Sequence, residues 1–194
     1  MPNAMTHLQR SYNMSRIRSA NTSPELKVRR WLHGRGFRFQ VNVRMLPGSP
    51  DIVLAKYRTC IFVNGCFWHG HDGCRLYTHP KSNREFWEQK VARNKMRDQI
   101  VEAKLESMGW YVLTVWECEL KGEAFVGSME SVAATLLQNR EKWLQARAKR
   151  RDDLAAARSL KAARIARDGA LLAEMGIPAS VRRLSEQEGE WQGQ

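Results

Sequence analysis

The chain has 194 residues, 43% of them hydrophobic, and carries 32 Lys and Arg against 20 Asp and Glu, for a net charge of +12 and a pI near 10.0. That length allows one domain with a real core plus an appendage, and that hydrophobic share excludes a disordered chain. The charge predicts a polyanionic partner, and no apolar run approaches the ~20 residues that a bilayer-spanning helix needs.

The basic excess is not confined to a tail. Residues 1–140 hold 21 Lys and Arg against 12 acids, and residues 141–194 hold 11 against 8. The folded part is itself basic, and seven Trp add the flat faces on which bases stack. The first twenty residues lack an apolar core and carry Arg10, Arg16 and Arg18, so no secretory leader is expected. The expected location is the cytoplasm, with nucleic acid as the expected polyanion. Clustered Cys and His bind metals there more readily than they form disulfides.

Residues 1–21 read as a basic arm. Ser23-Pro24-Glu25 predicts a helix start with Ser23 as the cap, and Leu26, Val28, Trp31 and Leu32 give that helix an apolar face. Phe37, Phe39, Val41 and Val43 alternate with polar residues, the period of a strand. After the turn at Pro47-Gly48-Ser49-Pro50, two apolar runs at 51–55 and 59–63 suit buried strands. Ser82 and Glu85 form a capping-box pattern that opens a helical region to about Met108. Gly109 stops it, residues 110–116 read as a strand, and the pattern is helical again from about Ser128 through Leu144. Residues 147–167 carry eight Lys and Arg among many alanines and predict a further helix closed near Gly176, with a disordered end from Ser185. The order α-β-β-β-α-β-α predicts an α/β fold, a mixed sheet flanked by helices. Three regions result: an arm at 1–21, a domain at 22–140 and a basic helical extension at 141–194.

Between the second and third apolar runs stands Gly65-Cys66-Phe67-Trp68-His69-Gly70-His71-Asp72-Gly73-Cys74. Zinc takes four nitrogen or sulfur ligands in a tetrahedron. Cys66, His71, Cys74 and Cys118 offer such a set with no open position, which makes the zinc structural; the alternative is a core thiol at Cys118 and surface histidines. Cys60, inside an apolar run, reads as core packing.

A phosphodiester is hydrolysed when the charge on phosphate is neutralised and a water is made nucleophilic, and magnesium on carboxylates and carbonyls does both. Asp51, at a strand start, is a natural ligand. His69, spare from the zinc set, suits a general base or a phosphate contact. Glu25 and Asp98 are candidate partners, each with a plain alternative: a helix-dipole acid, and a surface ion pair with Lys95 or Arg97.

Asn13-Met14, Pro47-Gly48-Ser49-Pro50-Asp51, the Gly65–His71 block, Glu85-Phe86-Trp87 and Val115-Trp116-Glu117-Cys118 stand in the order and spacing of the very-short-patch repair (Vsr) endonucleases. The resemblance covers roughly residues 10–125. It implies a restriction-endonuclease-like fold and an enzyme that nicks duplex DNA 5′ to the thymine of a T:G mismatch, the product of 5-methylcytosine deamination. It implies Asp51 and the Val63 backbone carbonyl as magnesium ligands, His69 as the base, and Glu25 and Asp98 as its supporting acids. It also implies Cys66, His71, Cys74 and Cys118 as the zinc set. Phe67, Trp68 and Trp87 are then a wedge inserted beside the mismatch, with Met14 entering from the opposite groove. A monomer is expected, working near a MutL-type repair protein. Val63 stands where relatives can carry Thr, the (Asp/Glu)-x-Lys half-motif of related nucleases is absent, and Asp72-Gly73 precede Cys74. Two competing functions fit the same residues: a restriction or defence nuclease of this fold, and a zinc-stabilised DNA-binding module without catalysis.

Overall fold

A computed structural model describes residues 20–78 and 83–176, together with Thr6, Leu8, Gln9, Tyr12 and Arg16. Met14, Ser82 and the segment from Ser185, each singled out above, lie outside the described residues. The chain divides after Trp143 into two compact units.

The first helix, α1 (Ser23–Gly34), is capped by Thr22 and not by Ser23. Glu25 N–H donates to the Thr22 hydroxyl oxygen, and the Glu25 carboxylate accepts the Thr22 N–H in return. Both orphan donors at the helix start are met, an arrangement worth about 0.5–2 kcal/mol at the cap alone. Val28 and Leu32, one turn apart, are fully buried against the sheet.

The strand expected from Phe37 to Val43 does not form. Gln40 makes an isolated antiparallel bridge with Val53, and the chain then turns at Asn42, whose φ of 49° is incompatible with an extended path. The alternating apolar residues are a covering segment: Phe37 and Phe39 pack on one core and Val43 on another.

Three strands make the sheet, in the order β1 (Ile52–Leu54), β2 (Thr59–Asn64), β3 (Tyr111–Trp116). β1 pairs antiparallel with β2, with Val53 opposite Cys60. β2 pairs parallel with β3, with Val63 opposite Val115, and α2 (Arg84–Ser107) makes the crossover that parallel strands require. Alternation sends residues to two faces. Ile52, Leu54, Ile61 and Val115 join Val28 and Leu32 from α1 and Met129, Val132 and Leu136 from α3 (Ala124–Glu174). Val53 and Cys60 join Leu105 of α2, with Val101, Trp110 and Val112 at the edge. The result is a sheet covered by helices on both faces.

The β1–β2 link is pinned to the end of α2. Arg58, at φ 51°, donates to the Met108 and Gly109 carbonyls at 2.8 and 2.9 Å while lying over the Trp110 ring. No described helix is long and apolar enough to cross a membrane.

Candidate active site and metal loop

The end of the sheet, the start of α1 and the middle of α2 enclose a cleft of about 790 Å³ whose lining includes Glu25, Asp51, Val63, His69 and Asp98. These five residues, separated by up to 73 positions, therefore face one space, because each sits where its element opens toward it. Asp51 immediately precedes β1, and its Oδ2 accepts the Val63 N–H across the sheet at 2.8 Å, which leaves Oδ1 outside that bond. Burial pushes the Asp51 carboxyl above its ordinary range, more than the Val63 N–H pulls it down. Glu25 pushes it further up, while Arg29 and His69 pull it back.

His69 Nδ1–H donates to Asp98 Oδ2 at 2.5 Å. An ionised carboxylate can only accept, so Nδ1 carries the proton and Nε2 is the nitrogen with a free lone pair. Asp98 also meets the exposed Arg97 at 3.5 Å, whereas Lys95 pairs with Asp72 at 2.8 Å instead. The surface ion pair and the imidazole contact coexist on Asp98.

Glu25 lies in the cleft wall but is committed elsewhere. It is only 3% exposed, and its oxygens accept from Asn21 N–H, from the Thr22 N–H and hydroxyl, and from Arg29 Nη2. Among the described residues, none of its hydrogen bonds goes to His69. Arg29, buried beside it, also donates to the Asp51 backbone carbonyl at 3.0 Å and to Asn21 Oδ1 at 2.6 Å. Glu25 and Arg29 thus tie α1 to the residue that starts β1. Sequence reasoning missed Arg29; the i,i+4 Glu–Arg spacing on one helix was the available signal.

The Gly65–Cys74 loop lies against α2. Asn94 Nδ2 donates to the Trp68 carbonyl at 2.8 Å. Gly70, at φ 60°, sits so close that a Cβ there would stand 2.5 Å from Val91 Cγ1, so only glycine fits. The ligand atoms of Cys66, His71, Cys74 and Cys118 all lie within 4.8 Å of one another, and the group can hold a metal ion. His71 Nδ1 is 3.6 Å from Cys66 Sγ and 3.4 Å from Cys118 Sγ. The Trp116 ring, on β3, stacks on the His71 ring at 4.1 Å and 6°. Trp116 looked like an ordinary sheet residue, but it holds the imidazole plane. Cys60 is fully buried in the core, away from this group.

Phe67, Trp68 and Trp87 pack edge to face, with centroids 5.3 to 5.8 Å apart. All three stay partly exposed. Tyr77 and the half-exposed Phe86 extend the cluster, and Lys90 Nζ lies 5.4 Å from the Trp87 ring centroid. An aromatic group of this size partly open to solvent is a candidate interaction surface.

Residues 3–75 match the family described as DNA mismatch endonuclease Vsr. The type II nicking enzyme V.XorIIP of Xanthomonas oryzae pv. oryzae is 44% identical over 137 residues, 71% of this chain and 98% of its own length. V.NmeAIP of Neisseria meningitidis is 46% identical over 124 residues, 64% of this chain and 88% of its own. The DNA mismatch endonuclease Vsr of Escherichia coli is 43% identical over 113 residues, covering 58% and 72%.

The chain belongs to the Vsr family of DNA mismatch endonucleases.

Its partner is therefore DNA and its activity is strand cleavage. Membership makes sense of a contradiction in the electrostatics. A Vsr-family protein of net charge +12 lines its cleft with Glu25, Asp51, Asp98, Glu102 and Glu117 against Arg97. Phosphate is repelled from such a space unless a cation enters with it, and a nuclease family implies a divalent one.

Proposed function

We propose that this protein nicks one strand of duplex DNA 5′ to the thymine of a T:G mismatch, with magnesium in the cleft and a structural zinc in the loop. The bonded pair His69–Asp98 beside the raised carboxyl of Asp51, in one cleft, is the observation that carries this reading. The fold is taken as restriction-endonuclease-like, with residues 22–140 as the nuclease domain between the arm and the extension.

Asp51 and the Val63 carbonyl would hold the magnesium. The fit rests on a buried carboxylate short of compensating charge, in a cleft rich in oxygen donors. Bound there, magnesium supplies charge neutralisation on the scissile phosphate and eases ionisation of the attacking water. His69 Nε2 takes the proton from that water, and Asp98 keeps the ring in the required tautomer and stabilises the imidazolium. Glu25 acts at one remove, through Arg29 and the backbone of Asp51.

For the loop, zinc–sulfur bonds of ~2.3 Å and zinc–nitrogen bonds of ~2.0–2.1 Å in a tetrahedron put sulfur and nitrogen about 3.5 Å apart. The two separations from His71 Nδ1 bracket that value, which supports a zinc of three thiolates and one imidazole.

Phe67, Trp68 and Trp87 would enter the base stack beside the mismatch, with Met14 opposite. Unstacking costs a few kcal/mol per step, and each ring returns ~1–3 by stacking on a base. A T:G wobble lowers the cost, so distortion becomes part of recognition. The rings are already packed on each other, so little ordering remains to be done on binding. Trp68→Ala should weaken T:G duplex binding about 10- to 100-fold and narrow the preference over a matched duplex. Fluorescence anisotropy on the two duplexes checks this, and an unchanged ratio rules out the wedge.

The general-base assignment makes its own demand. His69→Ala should slow single-turnover nicking about 10²- to 10⁴-fold, and Asp98→Ala should slow it less. Because Asp98 acts through His69, the double variant should be no slower than His69→Ala alone. Multiplicative losses would separate the two residues. The function as a whole is tested by offering matched and T:G duplexes of one sequence with and without magnesium. Equal cutting of both would favour a restriction-type activity.

A further inference from the structure

The second unit carries a feature that the nuclease chemistry does not use. The Xanthomonas relative is matched over 98% of its own length by 137 residues, so this chain has length which that relative lacks. From Leu144 to Glu174 the helix α3 has no buried residue. At 100° per residue, Arg147, Arg150, Arg151, Arg158 and Lys161 fall within an arc of roughly 100°, and Asp152 and Asp153 fall outside it. Arg147, Arg150, Arg151 and Arg158 line one shallow depression together with Leu154 and Ala155. Arg164 and Arg167 lie outside that arc. Arg164 and Arg167 both meet Asp168, at 3.6 and 3.8 Å. Within the stripe, Arg151 meets Asp152 at 3.7 Å, where both side chains are highly exposed and such a pair is worth little.

We infer that this arginine face binds the phosphate backbone of duplex DNA independently of sequence, adding a second contact region to the nuclease. Duplex DNA is the occupant because the chain belongs to a DNA-cleaving family and the surface is a one-signed run of guanidinium forks, which suit phosphate. At ~1.5 Å per residue the stripe is about 21 Å long, enough to reach phosphates on both sides of a ~12 Å major groove. A guanidinium committed to phosphate carries no sequence information. The contact therefore holds the enzyme on matched DNA during search and carries no mismatch preference.

The inference rests on DNA as the partner and not on the proposed chemistry, and its test is separate from nicking. Full-length protein is titrated with a labelled matched duplex at several salt concentrations. The stripe variant Arg150→Gln, Arg151→Gln, Arg158→Gln is compared with the off-face variant Lys149→Gln, Arg164→Gln, Arg167→Gln, which removes the same charge. The stripe variant should lose about 0.9 per residue from the magnitude of the log K against log salt slope, about 2.7 in all. Its affinity at low salt should fall at least ~10-fold, and the off-face variant should change far less. Single-turnover nicking of saturated T:G duplex should be unaltered in both. Glutamine keeps helix propensity, and circular dichroism verifies the helix. Were helix lost in the triple, the three single variants decide, each owing about 0.9 of slope. An unchanged slope, as expected if the face serves an acidic protein, overturns the inference, as does an equal loss in both triples. Should the unaltered enzyme fail to nick T:G duplex while these slopes separate, the proposed chemistry falls and this surface stands.

Discussion

Asp51→Asn should lose nicking activity by more than about 10³-fold while making the magnesium-free, zinc-loaded protein more resistant to heat. The two effects have one cause. In the folded protein, burial raises the Asp51 carboxyl above its ordinary value of 3.8, outweighing the Val63 N–H. A raised carboxyl means that the charged form is worse off folded than unfolded. Below the unfolded pKa both states hold the proton and nothing is lost. As pH rises through the unfolded and then the folded pKa, the folded state is penalised, and the penalty is complete above the folded value. Asparagine has no charge to desolvate and still accepts the Val63 N–H. The variant's gain in Tm should therefore be absent in acid and grow toward neutral pH. Magnesium should raise the Tm of the parent and leave the variant unmoved. Calorimetry across pH, with and without magnesium, reads all of this. A variant as active as the parent, or one destabilised at neutral pH, would refute Asp51 as the charged ligand of the cleft.

The activity loss is expected to be large because the site is built around that charge. Arg29 reaches the Asp51 backbone carbonyl and Glu25, and Val63 N–H holds the carboxylate from the adjoining strand. On the proposed reading, a carboxylate only partly compensated by the Val63 N–H, Arg29 and His69 trades stability for cation binding.

How much of this was legible beforehand varied with the range of the interaction. The apolar runs at 51–55, 59–63 and 110–116 announced three strands, which form at Ile52–Leu54, Thr59–Asn64 and Tyr111–Trp116; the first is buried throughout, whereas the third buries only Val115 fully. The segment 37–43 misled because alternation reports burial on alternating sides and not hydrogen-bond pairing; Asn42 diverts the backbone without disturbing the pattern. The Cys/His group that could hold a metal was visible because three of its four members lie within nine residues of each other. His69–Asp98 was not derivable from spacing, since the two stand 29 positions apart, one in the loop and one on α2, and only the packing of the loop on that helix joins them. Trp116 hid for a similar reason. A tryptophan in a strand looks like core, and its stacking on His71 depends on β3 lying next to β2.

Removing zinc should abolish nicking and disorder the loop without unfolding the sheet. Zinc-finger peptides owe their entire fold to an ion that binds with apparent energies of ~10–16 kcal/mol. Here the sheet has its own cores, so the ion's share falls on residues 65–77, which otherwise rest on α2 through Asn94, Lys95 and Asp98. Those contacts position His69, three residues past Cys66, and present Phe67 and Trp68, so activity fails with the loop. Burial drives the Cys66 thiol up to about 12 and raises Cys118, whereas the Leu76 N–H pulls Cys74 down. Without a cation Cys66 stays protonated at neutral pH. Zinc must displace that proton, so binding releases protons and its affinity falls as pH falls. Cys66→Ser should lose zinc, open the loop to protease near residues 65–77 and cut activity at least ~10²-fold. Cys60→Ala should keep its zinc, because that thiol, also driven up to about 12 by burial, belongs to the core. Metal analysis beside limited proteolysis distinguishes the two. A fully active protein containing no zinc, or a Cys66→Ser protein with an intact loop and full metal content, would show that the four side chains converge for some other reason.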